Sequence, residues 1–328
     1  MLILSRADVK RLVTMPAAIV LVRDAFRDLS AGRAQSPLRT AIEVVPGEGT
    51  TLVMPAYVPS AQALGVKVVS VFQGNADRDL PTITSIVCLF DSETGQPVAA
   101  MDGAYLTALR TGAVSGAATE LLARPESSVL TVIGAGAQAV TQAAAVCAVR
   151  PIERVIVTAR SDASLDRFRR AIAEDWPNLT SRLETSLDNR AAVRAADIVC
   201  TATTSRTPVF DDADVRPGTH INGVGSFTPK MQEIPAATVA RAIVVVDQIE
   251  PALGEAGDLI VPLNDGLIDR GHVFRELGRL ADGAVTGRTS DDEITFFKSV
   301  GNAVQDMAVG RFVFEEAVRL GVGQPVTL

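Results

Sequence analysis

The segment that most constrains this chain is VLTVIGAGAQAV, residues 129–140. A β-branched run, Val129–Ile133, leads straight into Gly134-Ala135-Gly136-Ala137-Gln138-Ala139, and Gln138–Ala148 then has helical composition. The pattern is GxGxxA in a strand–turn–helix context. Gly134 allows the tight turn, Gly136 lets a pyrophosphate approach the backbone, and Ala139 permits close helix–strand packing. The unpaired amides at the helix start then face the phosphates. By itself the motif also fits a plain structural glycine turn; the strand before it and the helix after it give it weight.

The next strand, Val155–Thr158, leads into Ala159-Arg160-Ser161. NAD binders place an acid near here to accept from the ribose 2′-hydroxyl. With no carboxylate at 159, and with a cation at Arg160 and a hydroxyl at Ser161, the segment suits a 2′-phosphate. NADP(H) is favoured and NAD(H) remains open, since Asp162 offers an acid and Arg160 also reads as a solvated surface charge.

Later strands are expected at Asp197–Thr201, His220–Val224 and Ile243–Asp247, with helices between them, among them Ser164–Ala173. Alternation of this kind predicts a parallel sheet with crossover helices. The first part reads differently. A helix is expected over Asp8–Leu29, restarted at Pro16, with strands at Arg39–Val45, Thr51–Met54, Gly65–Phe72 and Thr82–Phe90 and a long helix at Ala104–Leu122. The expected fold class is α/β: a Rossmann-type doubly wound parallel sheet over 123–300, plus an α+β domain over 1–122. A helix spanning Ser299–Leu320, within a tail of 301–328, is expected to return to the first domain.

The formal net charge is −7 and there is no long Lys/Arg run, so nucleic acid is an unsuitable partner. Cys88, Cys147 and Cys200 lie far apart with no CxxC, and His220 and His272 are the two histidines, so no metal site is expected. The N-terminus, MLILSRADVKRL, lacks a long apolar stretch and suggests no signal peptide and a cytoplasmic location. Ser127–Val149 carries no charge, but its glycines, threonines and glutamines suit a buried strand–turn–helix better than a membrane span.

Lys67 interrupts an apolar strand, Leu64–Val69. It reads either as an edge residue pointing to water or as a buried amine with a lowered pKa, suited to proton transfer or carboxylate binding. Arg110, in an Ala-rich helix, and Arg39, in SPLRT, each read as a carboxylate clamp or as a surface ion pair. His220 starts a strand and reads as an acid–base group or a structural hydrogen-bonder; His272 sits in a polar turn.

Taken in order, the runs SPLRT (36–40), MPAY (54–57), GVKVV (65–69), LPT (80–82), ALRTGAVSG (108–116), VIGAGAQA (132–139), HINGVGSFTP (220–229) and FFKSVGNAVQD (296–306) resemble the ornithine cyclodeaminase/mu-crystallin family over nearly the whole chain. The resemblance implies a Rossmann domain and a substrate-binding domain that pairs into a homodimer, with a nicotinamide cofactor beside a small amino or imino acid. It implies that Arg39, Lys67 and Arg110 hold the substrate carboxylate and that Val300 lies against the substrate. It places Thr82, Ala137, Gln138, Thr201, Val224, Gly225 and Ser299 at the dinucleotide, alongside Gly134 and Gly136 of the glycine loop; Arg110 is also expected to reach the cofactor.

The departures bear on chemistry. Ornithine cyclodeaminases carry an aspartate two residues before the proline of the HINGVGSFTP run, and this chain has Phe227 there. A phenyl ring neither pairs with an ammonium by charge nor moves a proton. Met231 replaces the family's lysine, and Ala159 replaces the acid of NAD-using members. These changes resemble the branch that reduces imino acids, with Phe227 as an apolar floor for a cyclic substrate such as pyrroline-2-carboxylate. The expected activity is therefore NAD(P)H-dependent oxidoreduction at the C–N bond of a small α-imino or α-amino acid, with Lys67 and Arg110 as the catalytic pair. Ornithine cyclodeamination with Glu233 or Asp102 standing in for the aspartate, an alanine-dehydrogenase-like reaction, and non-catalytic NADPH binding remain alternatives.

Overall fold

A computed structural model describes residues 1–44, 49–78 and 80–327. Val45, the end of the first expected strand, and Leu328, the end of the tail, lie outside the described residues. The elements run β1 (Leu2–Leu4), α1 (Arg6–Leu12), α2 (Met15–Ser30), β2 (Thr40–Val44), β3 (Gly49–Val58), β4 (Ala63–Phe72), β5 (Ile83–Phe90), β6 (Pro97–Asp102) and α3 (Gly103–Leu122). Next come β7 (Val129–Ile133), α4 (Ala137–Val149), β8 (Arg154–Thr158), α5 (Asp162–Asp175), β9 (Leu183–Ser186), α6 (Asn189–Ala195), β10 (Ile198–Thr201) and β11 (His220–Gly223). The chain continues through α7 (Ala236–Arg241), β12 (Ile243–Val246), α8 (Ile249–Glu255), α9 (Gly257–Asn264), β13 (Arg275–Glu276), α10 (Leu277–Ala281), β14 (Thr295–Lys298), α11 (Ala303–Leu320) and β15 (Gln324–Pro325).

The chain divides into two compact units, Met1–Arg110 with Asn302–Leu328, and Thr111–Gly301. The division falls inside α3 rather than at its end, where the sequence suggested it. The first unit holds a seven-stranded sheet in the order β15-β1-β6-β5-β4-β3-β2. From β2 to β6 its neighbours are antiparallel. Strand alternation buries Ala63, Gly65, Lys67 and Val69 of β4 on one face, against which α11 packs. Gly65 has no room for a side chain there: a Cβ would lie 2.3 Å from the Cys88 carbonyl and 2.7 Å from Met307 Sδ.

The second unit holds an all-parallel sheet, β13-β12-β14-β11-β10-β7-β8-β9. Its strand order reverses between β7 and β10, which opens a crevice at their carboxyl ends. This is the Rossmann-type α/β fold. The uncharged Ser127–Val149 stretch is β7, the glycine turn and α4, and no described helix is long and apolar enough to cross a membrane.

The Asp8–Leu29 stretch restarts where expected: Thr14 caps a second helix with Pro16 in its first turn. The Ser299–Leu320 helix begins only at Ala303. Gly301 takes φ +84°, and Asn302 forms a capping box with Gln305, so 299–301 is a loop. The carbonyl end of α3 is closed by Arg150, whose Nη2 donates to Thr119, Glu120 and Ala123 O, each at 2.9 Å.

Candidate active site

In the first unit, the alternation that buries the apolar residues of β4 also buries Lys67, which is 1% exposed. The edge-residue reading fails because β4 is a central strand, paired with β3 and β5 along its length. Lys67 Nζ lies 2.8 Å from Asp306 Oδ2, one turn into α11. Arg110 Nε donates to Asp306 Oδ1 at 3.0 Å, and Arg110 Nη1 donates to Gln305 Oε1 at 2.7 Å. Gln305 Oε1 also accepts from Asn302 N in the α11 cap, and Asn302 Oδ1 accepts from Ser36 Oγ at 2.7 Å. The SPLRT loop is thereby tied to the same helix start, and Arg39 lies near enough for its charge to act on Lys67.

Burial lowers the Lys67 pKa to about 8, helped by the positive charges of Arg110 and Arg39 and opposed by Asp306. One buried carboxylate thus answers Lys67 and Arg110 with Arg39 nearby, a surplus of positive charge suited to an anion. Asp306 and Gln305 carry no role in the sequence reading. The signal was available within FFKSVGNAVQD, where Asp306 is a lone acid amid the apolar face of α11.

In the second unit, Gly134 takes φ +108°, and a Cβ there would lie 2.5 Å from Ala202 O. Gly136 caps α4, and nothing lies within 4 Å of where its Cβ would be. Ala137 is exposed and Ala139 is buried. A bare, open helix N-terminus of this kind fits a dinucleotide pyrophosphate. Gln138 is half-buried, with its side-chain oxygen unpaired. At the end of β8, Arg160 and Ser161 are exposed; Ser161 Oγ lies 3.1 Å from Ser164 Oγ, to which Arg167 Nη2 also donates.

The loops beyond β10, β11 and β14 are held from inside. Thr201 donates its hydroxyl to Glu233 Oε2 at 2.9 Å, so that hydroxyl faces the protein. Ser299 Oγ, Val300 N and Gly301 N all donate to Asp247 Oδ2, at 2.8, 2.9 and 2.8 Å. Val224 is half-buried, Gly225 is buried, and Phe227 is 40% exposed. Thr82, in the first unit, is half-buried just before β5, its carbonyl accepting from Phe72 N.

Two proposed stand-ins for the missing aspartate are otherwise engaged. Glu233 is fully buried with both oxygens occupied, and Asp102 Oδ1 accepts from Tyr105 N at the start of α3. His220 is a structural hydrogen-bonder. It lies 2.9 Å from Thr295 Oγ1 and 3.2 Å from Asn222 Oδ1, and burial drives its pKa down to about 3. Among the described residues no cluster of His, Cys, Asp or Glu suits a metal ion.

A family model described as the ornithine cyclodeaminase/mu-crystallin family matches residues 1–320. The chain belongs to this family. It is 42% identical over 327 residues to a Δ1-pyrroline-2-carboxylate reductase of Bacillus cereus, with 99% of each chain covered. The solved Δ1-pyrroline-2-carboxylate reductase of Thermococcus litoralis, in complex with NADH and L-proline, matches with a TM-score of 0.94 and 41% identity, over 99% of this chain and 100% of that one. An archaeal alanine dehydrogenase dimer with bound NAD matches with a TM-score of 0.91 and 35% identity, over 100% of this chain and 99% of that one.

Removing Asp306 leaves two buried cations unanswered. Asp306→Ala is expected to destabilise the protein by about 3–5 kcal/mol in urea unfolding, because breaking one side of a buried ion pair strands the other. A loss below about 1 kcal/mol would mean that solvent already screens Lys67 and Arg110.

Proposed function

We propose that this family member is an NAD(P)H-dependent reductase of a small cyclic 2-imino acid, with Δ1-pyrroline-2-carboxylate as the leading substrate. The observation that carries the reading is the buried Lys67–Asp306–Arg110 cluster with its surplus positive charge. Pure cofactor binding has no use for such a cluster. The full-length similarity to pyrroline-2-carboxylate reductases supports the same substrate class.

When bound along the glycine loop, the dinucleotide supplies a hydride to C2 of the imine. The residues of this chain do the rest. Arg110 engages Asp306 through Nε and Gln305 through Nη1, and in this reading its Nη2 takes the substrate carboxylate. Arg39 adds a second guanidinium. Holding the carboxylate orients the C=N carbon, which is where much of the rate arises. Lys67, with a pKa near 8, is mostly protonated at neutral pH yet able to release its proton to the imine nitrogen. A protonated imine accepts hydride more readily, and the product is the cyclic amino acid with its N–H formed.

The solved relatives hold NADH and NAD. For this chain we favour NADP(H), on Ala159, Arg160 and Ser161. The Ser161–Ser164–Arg167 cluster beside Arg160 adds hydroxyls and a second guanidinium for a 2′-phosphate. We also propose a homodimer through the face of the seven-stranded sheet opposite α11. Ile42, Val44 and Ile86 are exposed on that face, and Val53, Tyr57, Val66 and Val68 are half-buried there. The free thiols of Cys88, Cys147 and Cys200 fit a cytoplasmic setting. An alanine-dehydrogenase-like reaction is the second reading, favoured by the archaeal relative and tested by replacing the cyclic imine with pyruvate and ammonia.

NADPH absorbance is expected to fall steadily on addition of Δ1-pyrroline-2-carboxylate. A flat trace with both NADPH and NADH would overturn the reading. Lys67→Ala should lower kcat/KM by about 100-fold or more, the usual range for losing a general acid; a change within about threefold would remove Lys67 from the chemistry. Because the working form of Lys67 is the protonated one, reduction should hold steady below pH 8 and decline above it, a limb absent in Lys67→Ala. Arg160→Ala should raise the KM for NADPH about fivefold and leave that for NADH unchanged, the modest size reflecting an exposed charge. Ile86→Glu should shift the protein from dimer to monomer in light scattering; an unchanged mass would exclude that sheet face.

A further inference from the structure

The Rossmann-type unit contains a buried carboxylate that the chemistry above does not use. Glu233 is fully buried in the segment between β11 and α7, and both its oxygens are engaged. Oε1 accepts from Thr203 N at 2.6 Å. Oε2 accepts from Thr201 Oγ1 at 2.9 Å, Gly225 N at 2.8 Å and Ser226 N at 3.1 Å. Thr201 ends β10 and Thr203 lies in the turn after it, and Gly225 and Ser226 lie in the turn after β11. One side chain therefore laces two turns on the same edge of the sheet.

The brace is itself held. Asp258 Oδ1 accepts from the Glu233 and Ile234 amides at 2.6 and 3.0 Å, and Asp258 Oδ2 accepts from Lys298 Nζ at 3.1 Å. Lys298 is also fully buried. Gly225 is glycine because of this packing: a Cβ would sit 2.5 Å from Glu233 Oε1 and 2.2 Å from Thr203 O.

In a doubly wound sheet one half takes the adenosine side of a dinucleotide and the other the nicotinamide side. Here β7 to β9, with the glycine loop, form the first half, and β10 and β11 belong to the second. The glycine loop packs against Ala202 O, but its own backbone bonds run to other strands: Gly134 N donates to Thr158 O at 2.9 Å, and Ala202 N donates to Ile133 O at 2.9 Å.

We propose that Glu233 is a positioning residue for the nicotinamide half of the bound dinucleotide, fixing the turns after β10 and β11 without touching the adenosine half. The proposal rests on the dinucleotide reading given above. Glu233→Gln is the sharp variant, because its NH2, whichever way the amide sits, faces at least one backbone N–H. The competent arrangement of the two turns is then only partly populated.

The test is calorimetric titration of the whole protein with NADPH and, separately, with adenosine 2′,5′-bisphosphate, which carries only the adenosine side. If NADH binds the wild type more tightly, NADH and ADP-ribose replace them. For Glu233→Gln we expect the dinucleotide Kd to rise about tenfold, as when the competent state falls to a tenth, with the fragment Kd within about twofold. Glu233→Asp keeps the charge but shortens the reach, and should show the same split at smaller size. Equal weakening of both ligands, or unchanged dinucleotide affinity in both variants, would overturn the proposal. A wild type that binds neither ligand would overturn the dinucleotide reading itself, and this proposal with it.

Discussion

A charge taken out of water must be answered by an opposite charge or by aligned donors, and this chain buries many charges. Lys67, Arg110 and Asp306 are buried in the first unit, and Glu233, Asp247, Asp258 and Lys298 in the second. Each would be strongly destabilising alone. Each is met: cations by Asp306, Asp258 by Lys298, and the remaining carboxylates by backbone amides and hydroxyls. The placement of α11 against β4, and of the turns at the edge of the parallel sheet, follows from these answers as much as from apolar packing.

The two groups of charges are not equivalent. In the first unit one carboxylate faces Lys67 and Arg110, with Arg39 close enough to be felt. Positive charge is left over, which costs stability and suits an anionic ligand. In the second unit the surplus is negative, and the protein answers it internally. Glu233 collects three amides and a hydroxyl, and Asp247 collects three amides and a hydroxyl around itself. A charge whose partners are all internal is a brace. A charge left partly unanswered is a place for a ligand.

The glycine loop was legible from sequence because it is local. A strand, a turn of two glycines and a helix start lie within a dozen consecutive residues, and each glycine's need can be stated from backbone geometry. The helix start at Asn302 was harder, since a capping side chain competes with apolar periodicity and wins only by one or two hydrogen bonds. Lys67 was ambiguous because β alternation says that it shares a face with Ala63, Gly65 and Val69, but not whether that face is buried. Glu233 gave no sign: its partners come from two other turns, and no spacing along the chain reveals that they meet.

A two-part α/β protein with a phosphate-accepting glycine loop can be read directly from the residues, and their ordered motifs place it in its family. They also show that a phenyl ring stands where ornithine cyclodeaminases keep an aspartate. Those features are properties of short segments, and short-range sterics and periodicity are enough to express them. That Lys67 is buried, that Asp306 answers both cations, that His220 is held neutral, and that Glu233 is too fully hydrogen-bonded to serve a substrate became visible with the folded chain alone. These are questions of burial and electrostatics, and both depend on which distant segments come within a few ångströms of each other.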